Sequence, residues 1–102
     1  MRGAGAYGRL LRALGVLLPQ VDLSLVQERP WHSLTFSGVQ LSIAAKLGSV
    51  SDENSVLRFA DILPTHEFDL GNQLVADIAV TEIVQGPSCF KFRIDALLLD
   101  SE

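Results

Sequence analysis

His32 and His66, with the acids around the second of them, are the side chains best suited to metal binding or proton transfer. His66, Glu67 and Asp69 lie close together, with Asp61 just upstream, where a helical pattern hands over to an extended one. Such a junction can hold a site on a rigid scaffold. Zinc-type chemistry would need a second histidine at ligand spacing, as in H-E-x-x-H, and that spacing is missing. A solvated loop suits the pattern better. His32, His66 and Glu67 therefore stand as candidate ligand-binding residues, with no metal and no cofactor assigned.

Asp77 and Asp95 form a second candidate pair. If the last two strands pair through a three-residue loop at 85–87, with Leu74, Ala76, Ile78 and Val80 on the face of Leu98, Ala96, Ile94 and Phe92, Asp77 falls opposite Asp95. Two close carboxylates raise each other's proton affinity, the basis of acid–base dyads. Arg93 shares their face and favours simple neutralisation. No histidine or nucleophile is placed beside them, so no catalytic residue is assigned. The remaining signals are weaker. Gly3-Ala4-Gly5-Ala6-Tyr7-Gly8 matches G-x-G-x-x-G, but no strand precedes it to form a phosphate-binding turn. Cys89 has no histidine near it along the chain and reads as a packing residue. Phe90 and Phe92 resemble RNA-stacking aromatics in spacing but share the phase of Ile94 and Leu98, which makes them core.

The elements that must position these residues follow from apolar periodicity. Tyr7 to Leu18 reads as a helix, with Leu10, Leu14, Leu17 and Leu18 on one stripe and Pro19 ending it. Residues 1–6 are expected to be flexible. Val21, Leu23 and Leu25 alternate as a strand, and Glu28-Arg29-Pro30 suggests a turn. Alternation resumes from His32 and slips by one at Ser37-Gly38, which predicts a bulge in a long strand, with a tight hairpin as the alternative. Ser51-Asp52-Glu53 is a helix start, and Val56, Phe59, Ala60 and Leu63 line the helix it opens. Leu74 to Val80 and Phe90 to Leu98 are the last two strands.

The order helix–strand–strand occurs twice. Residues 11–17 and 57–63 align weakly, each run followed by a proline and then an Asp-Leu pair, in line with a duplicated αββ unit. The expected fold is α+β: a two-layer αββαββ sandwich, its antiparallel four-stranded sheet covered by two helices on one face. A circularly permuted ferredoxin-like arrangement has this element order.

At 102 residues, 48% of them hydrophobic, the chain suits a single domain spanning 1–102. Its lone cysteine excludes an internal disulfide and points to a reducing compartment. Residues 1–20 hold three arginines and no acid, whereas the rest hold five bases and all twelve acids. An acidic body disfavours nucleic acid. Arg9 and Arg12 interrupt the apolar run, so the start reads as a helix of the fold rather than a targeting segment. No stretch has the length of a membrane span.

One face of the sheet stays uncovered in this arrangement. It is expected to carry Val75 opposite Leu97, then Leu99, with Trp31 nearby if the first strands extend the sheet. That is more apolar surface than a solvated face needs. Trp31, Val75, Leu97 and Leu99 are accordingly the candidate interface of a homodimer or of a complex with a protein partner.

Arg29-Pro30-Trp31-x-Ser33-x-Thr35-Phe36-x-Gly38, together with Leu74-Val75-Ala76-Asp77-Ile78-Ala79-Val80, resembles a group of small alphaproteobacterial proteins over most of the chain from about Glu28. The group brings no activity with it, so the resemblance implies no site residue. It does imply a bacterial cytoplasmic protein.

Overall fold

In the computed structural model, Leu10, Leu14 and Leu18 present one buried stripe of a helix, α1, that runs from Arg2 to Leu17. The structure describes residues 2–48, 53–71 and 73–100, with side chains from Tyr7 onward and, in the second segment, from Asn54 onward. The helix starts five residues ahead of Tyr7, so the glycine-rich G-x-G-x-x-G run is helical backbone and forms no phosphate-binding turn. Leu18 N–H donates to the Leu14 carbonyl at 3.0 Å, and Gln20 adopts a left-handed φ of 73° where the chain turns away after Pro19.

Four strands follow in two pairs: β1 (Asp22–His32), β2 (Ser37–Leu47), β3 (Gln73–Gln85) and β4 (Phe90–Asp100). A second helix, α2 (Glu53–Ile62), lies between the pairs and tightens into a 3-10 turn over Leu63–Thr65. Of the expected cap Ser51-Asp52-Glu53, Ser51 and Asp52 fall outside the described residues. The sheet has the order β1-β2-β4-β3 and is antiparallel throughout. The fold is thus α+β with the expected αββαββ order, and this strand order is the one a circularly permuted ferredoxin-like sheet has.

Among the described residues, a cluster of buried side chains joins the layers. Leu10 and Leu14 of α1 and Val56 and Phe59 of α2 meet Leu41, Ile43 and Ala45 of β2 and Phe92, Ile94 and Ala96 of β4. The strand members all share one phase of alternation, so both helices lie on one face. Phe59 packs on Phe92 at 5.9 Å between ring centroids. Arg9 ties α1 to the connection ahead of β3, its Nη1 donating to the Leu70 carbonyl at 3.2 Å. Gly71 follows with φ 71°, and a Cβ there would run into Arg9 Nη1.

Three local readings are corrected. The turn expected at Glu28-Arg29-Pro30 is strand, and β1 runs on to His32. The reversal occurs at Ser33–Phe36, closed by Ser33 N–H to the Phe36 carbonyl (2.8 Å) and Phe36 N–H to Ser33 Oγ (3.1 Å). Pro30 is tolerated because β1 is an edge strand, where a missing N–H breaks no ladder. The phase slip at Ser37-Gly38 is therefore the far side of a hairpin and not a bulge.

The third correction concerns β3. Its register against β4 shifts between Val75 and Asp77 and again between Val80 and Glu82, leaving Ala76 and Thr81 as bulged residues. The connecting turn is Gly86–Cys89, with Gly86 N–H donating to the Cys89 carbonyl at 2.8 Å. Each bulge flips the phase of the strand, so Val75 pairs with Leu98 and packs against the core, while Leu74 takes the uncovered face opposite Leu99. Among the described residues, no helix is long and apolar enough to cross a membrane.

Candidate functional site

The uncovered face of the sheet can be laid out in rows, because residues directly paired across an antiparallel ladder share a face. Trp31, Gly38, Leu99 and Leu74 form the first row, and Arg29, Gln40, Leu97 and Asp77 the second. Gln27, Ser42, Asp95 and Ala79 come next, then Ser24, Ala44, Arg93 and Glu82. Asp22, Lys46, Lys91 and Val84 close the face.

One end of this face is apolar. Trp31, Leu97 and Leu99 are half-buried, and Leu74 is 58% exposed. The adjoining hairpin tip adds Phe36 and a fully exposed Leu34. Gly38 sits in the first row because nothing larger fits. A Cβ there would strike the Leu98 carbonyl oxygen and lie 2.9 Å from the Leu99 Cα.

The rest of the face is charged and balanced. Arg29, Lys46, Lys91 and Arg93 stand among Asp22, Asp77, Glu82 and Asp95. A shallow concavity of about 360 Å³ lies over the middle rows, bounded by Arg29, Ser42, Asp77, Arg93 and Asp95. A second, of about 380 Å³, lies over the far end around Ala44, Lys46, Val84 and Lys91. Glu82 and Arg93 border both. Arg93 Nη1 donates to Ser42 Oγ at 3.1 Å, which holds the guanidinium between β4 and β2.

The expected facing pair of carboxylates does not form. Asp77 is opposite Leu97 and Asp95 is opposite Ala79, so the two aspartates are diagonal neighbours lining one concavity. Glu82 takes the place across from Arg93. The histidines are not brought together. His32 ends β1 at one edge of the sheet, paired with Ser37. His66 lies before β3, the opposite edge, where its backbone N–H donates to the Leu63 carbonyl and its ring packs edge-on to Phe68 at 4.7 Å. His32, His66 and Glu67 are exposed and line neither concavity. Among the described residues, no three His, Cys, Asp or Glu side chains form a set able to hold a metal ion. Cys89 lies half-buried in the β3–β4 turn.

Leu97 and Leu99 thus occupy the face where the alternation places them, Trp31 joins them because β1 extends the sheet, and Val75 does not. Leu74 and Arg29 were missed, one assigned to the core and the other to a turn. The signal for Leu74 was present: the apolar positions Val75, Ile78, Val80 and Ile83 are spaced by three, two and three, and each three marks a bulge. None of the protein-family models, curated proteins or solved structures compared with the chain matches it.

Proposed function

We propose that this chain is a small non-catalytic interaction module that associates with a second copy of itself through the uncovered face of its sheet, in a bacterial cytoplasm. The observation carrying this reading is the half-exposed row of Trp31, Leu99 and Leu74 with Leu97 beside it. An isolated exposed leucine is ordinary, but a contiguous apolar end on a face that no described element covers is the feature that marks association sites. The bacterial cytoplasmic setting is supported by the sequence resemblance and the lone cysteine.

Both sheet edges argue against association by strand addition. β1 carries Pro30 and a bulge at Val26, and β3 carries two bulges. Bulges and proline blunt the row of backbone groups that an added strand would need. The face remains.

Trp31 is the only tryptophan and lies on that face, so it reports the association directly. Its emission is expected to shift to the red, and its quenching by acrylamide to rise, as the protein is diluted. Emission and quenching that stay constant from millimolar to nanomolar protein, in both the native chain and Leu97→Lys, would contradict the reading.

A second reading rests on a different observation, the convergence of Arg29 and Arg93 with Asp77 and Asp95 on one concavity. Opposed charges of this kind suit a small zwitterionic ligand, although the lining lacks the apolar walls of most ligand clefts. Calorimetric titration with free arginine and with free glutamate tests it. Saturable heat that disappears in Asp77→Asn would favour a ligand site over a protein interface.

A further inference from the structure

Of the two-fold axes along and across the strands, only the one along them makes the layout of the uncovered face self-complementary. When two copies of a sheet face each other across a two-fold axis running along the strands, rows stay together and opposite edges meet. β1 then lies over the partner's β3, and β2 over the partner's β4. We infer that the chain forms a face-to-face dimer about such an axis, with Arg29 of each copy set against the partner's Asp77. This rests on the interface reading above and specifies its partner and geometry.

The pairings follow row by row. In the first row Trp31 meets the partner's Leu74, and the partner's Leu99 comes over Gly38. In the second, Arg29 meets the partner's Asp77, twice by symmetry. In the third, Ser42 meets the partner's Asp95, a donor against a carboxylate. Lys46 over the partner's Lys91 is the one like-charged stack, and it falls in the outermost row, where both side chains reach water. Stacked sheets align at about 30° to each other. An axis about 15° from the strand direction therefore satisfies both the symmetry and the packing preference.

The competing two-fold, perpendicular to the strands, exchanges the ends of the face. It sets Trp31 over the partner's Asp22, Leu99 over the partner's Lys91 and Asp77 over the partner's Glu82, and it brings Asp95 onto its own copy. Like charges placed together in this way act against association. Charge and apolar pattern both select the axis along the strands.

The area is sufficient. Four strands at about 4.8 Å and five rows at about 6.8 Å give a face of roughly 650 Å², or roughly 1,300 Å² for two copies, within the range of stable protein interfaces.

The experiment uses charge reversal and mixing. Arg29 and Asp77 sit at opposite edges of one sheet, about 14 Å apart, so a rescue between them reads contact between copies. Arg29→Asp sets acid against acid across the interface, and Asp77→Arg sets base against base. Each variant alone is expected to dimerise at least about tenfold more weakly. Their equimolar mixture is expected to form a heterodimer, and the double variant to dimerise as the native chain does. Native mass spectrometry and light scattering read the species, and circular dichroism checks the fold. Arg29→Glu with Asp77→Lys provides a second matched pair should either variant unfold.

Single variants that lose association with no recovery on mixing would overturn the inference. So would single variants that dimerise like the native chain. In the latter case Leu97→Lys separates the two levels. If it abolishes the dimer, the face is the interface and the axis is wrong; if it does not, the interface reading falls as well. A native chain that stays monomeric at all concentrations overturns both.

Discussion

Asp77 on β3 stands across from Leu97 on β4, with Asp95 two pairs further along, opposite Ala79. The turn at Gly86–Cys89, in place of the expected loop at 85–87, and the bulge at Thr81 together set this offset, which turns the expected facing carboxylate pair into diagonal surface acids with neutral residues directly across from them. Asp77→Asn and Asp95→Asn should therefore each change unfolding stability by no more than about 0.5 kcal/mol. Urea titration in dilute, monomeric solution checks this. A larger change in either would mean that the two act as a coupled pair.

Gly38 is fixed by the closeness of β4. A Cβ at this position meets main-chain atoms of Leu98 and Leu99, and backbone cannot swing aside as a long side chain would. Gly38→Ala is expected to lower stability by about 1–3 kcal/mol. Gly15 gives the opposite result. It lies inside α1 with nothing within 4 Å of an added Cβ, so Gly15→Ala should raise stability by about 0.5–1 kcal/mol through helix propensity and a less flexible unfolded chain. Both follow from denaturant midpoints at an unchanged slope.

Arg9 and Gly71 act together. The guanidinium reaches the Leu70 carbonyl across the space that a side chain at residue 71 would fill, and the φ of 71° at Gly71 strains any other residue. Arg9→Met should cost about 0.5–1.5 kcal/mol, and Gly71→Ala about 1 kcal/mol or more. Because both remove the same contact, the double variant should cost less than the sum of the two. Strict additivity in the double-mutant cycle would contradict the coupling.

Ile94 of β4 is fully buried in the core cluster that joins the helices to the sheet. Ile94→Ala should remove about 2–5 kcal/mol through lost burial and the cavity left behind. Leu34 is fully exposed at the hairpin tip, and Leu34→Ala should stay within about 0.5 kcal/mol of the native chain. Thermal or chemical unfolding of the pair tests whether the helix-covered face alone forms the core.

The layers were legible in the sequence because Phe90, Phe92, Ile94, Ala96 and Leu98 alternate without a break, and β4 has no bulge to disturb its phase. The helices were legible for the same reason, from Leu10 and Leu14 and from Val56 and Phe59. What escaped was register. Leu34 and Phe36 continue an alternation that looks like strand, yet they belong to a hairpin turn held by Ser33. Pro30 looked like a turn residue because nothing local reveals that β1 is an edge. On β3 each bulge moves one residue between faces, and Val75 and Leu74 exchanged roles on that account. The apolar spacing of β3 marks its changes of phase, but the pairing partner of each residue also depends on the turn, which spans Gly86–Cys89 and is longer than the expected loop at 85–87.

Association of two copies through the uncovered sheet face makes the mass of the protein depend on its concentration. Sedimentation equilibrium of the native protein over a concentration series reaching about 1 mM measures that dependence. The mass is expected to rise from that of one 11.1 kDa chain towards twice that value, and to stay at one chain for Leu97→Lys. A native protein that holds the mass of one chain throughout would contradict it.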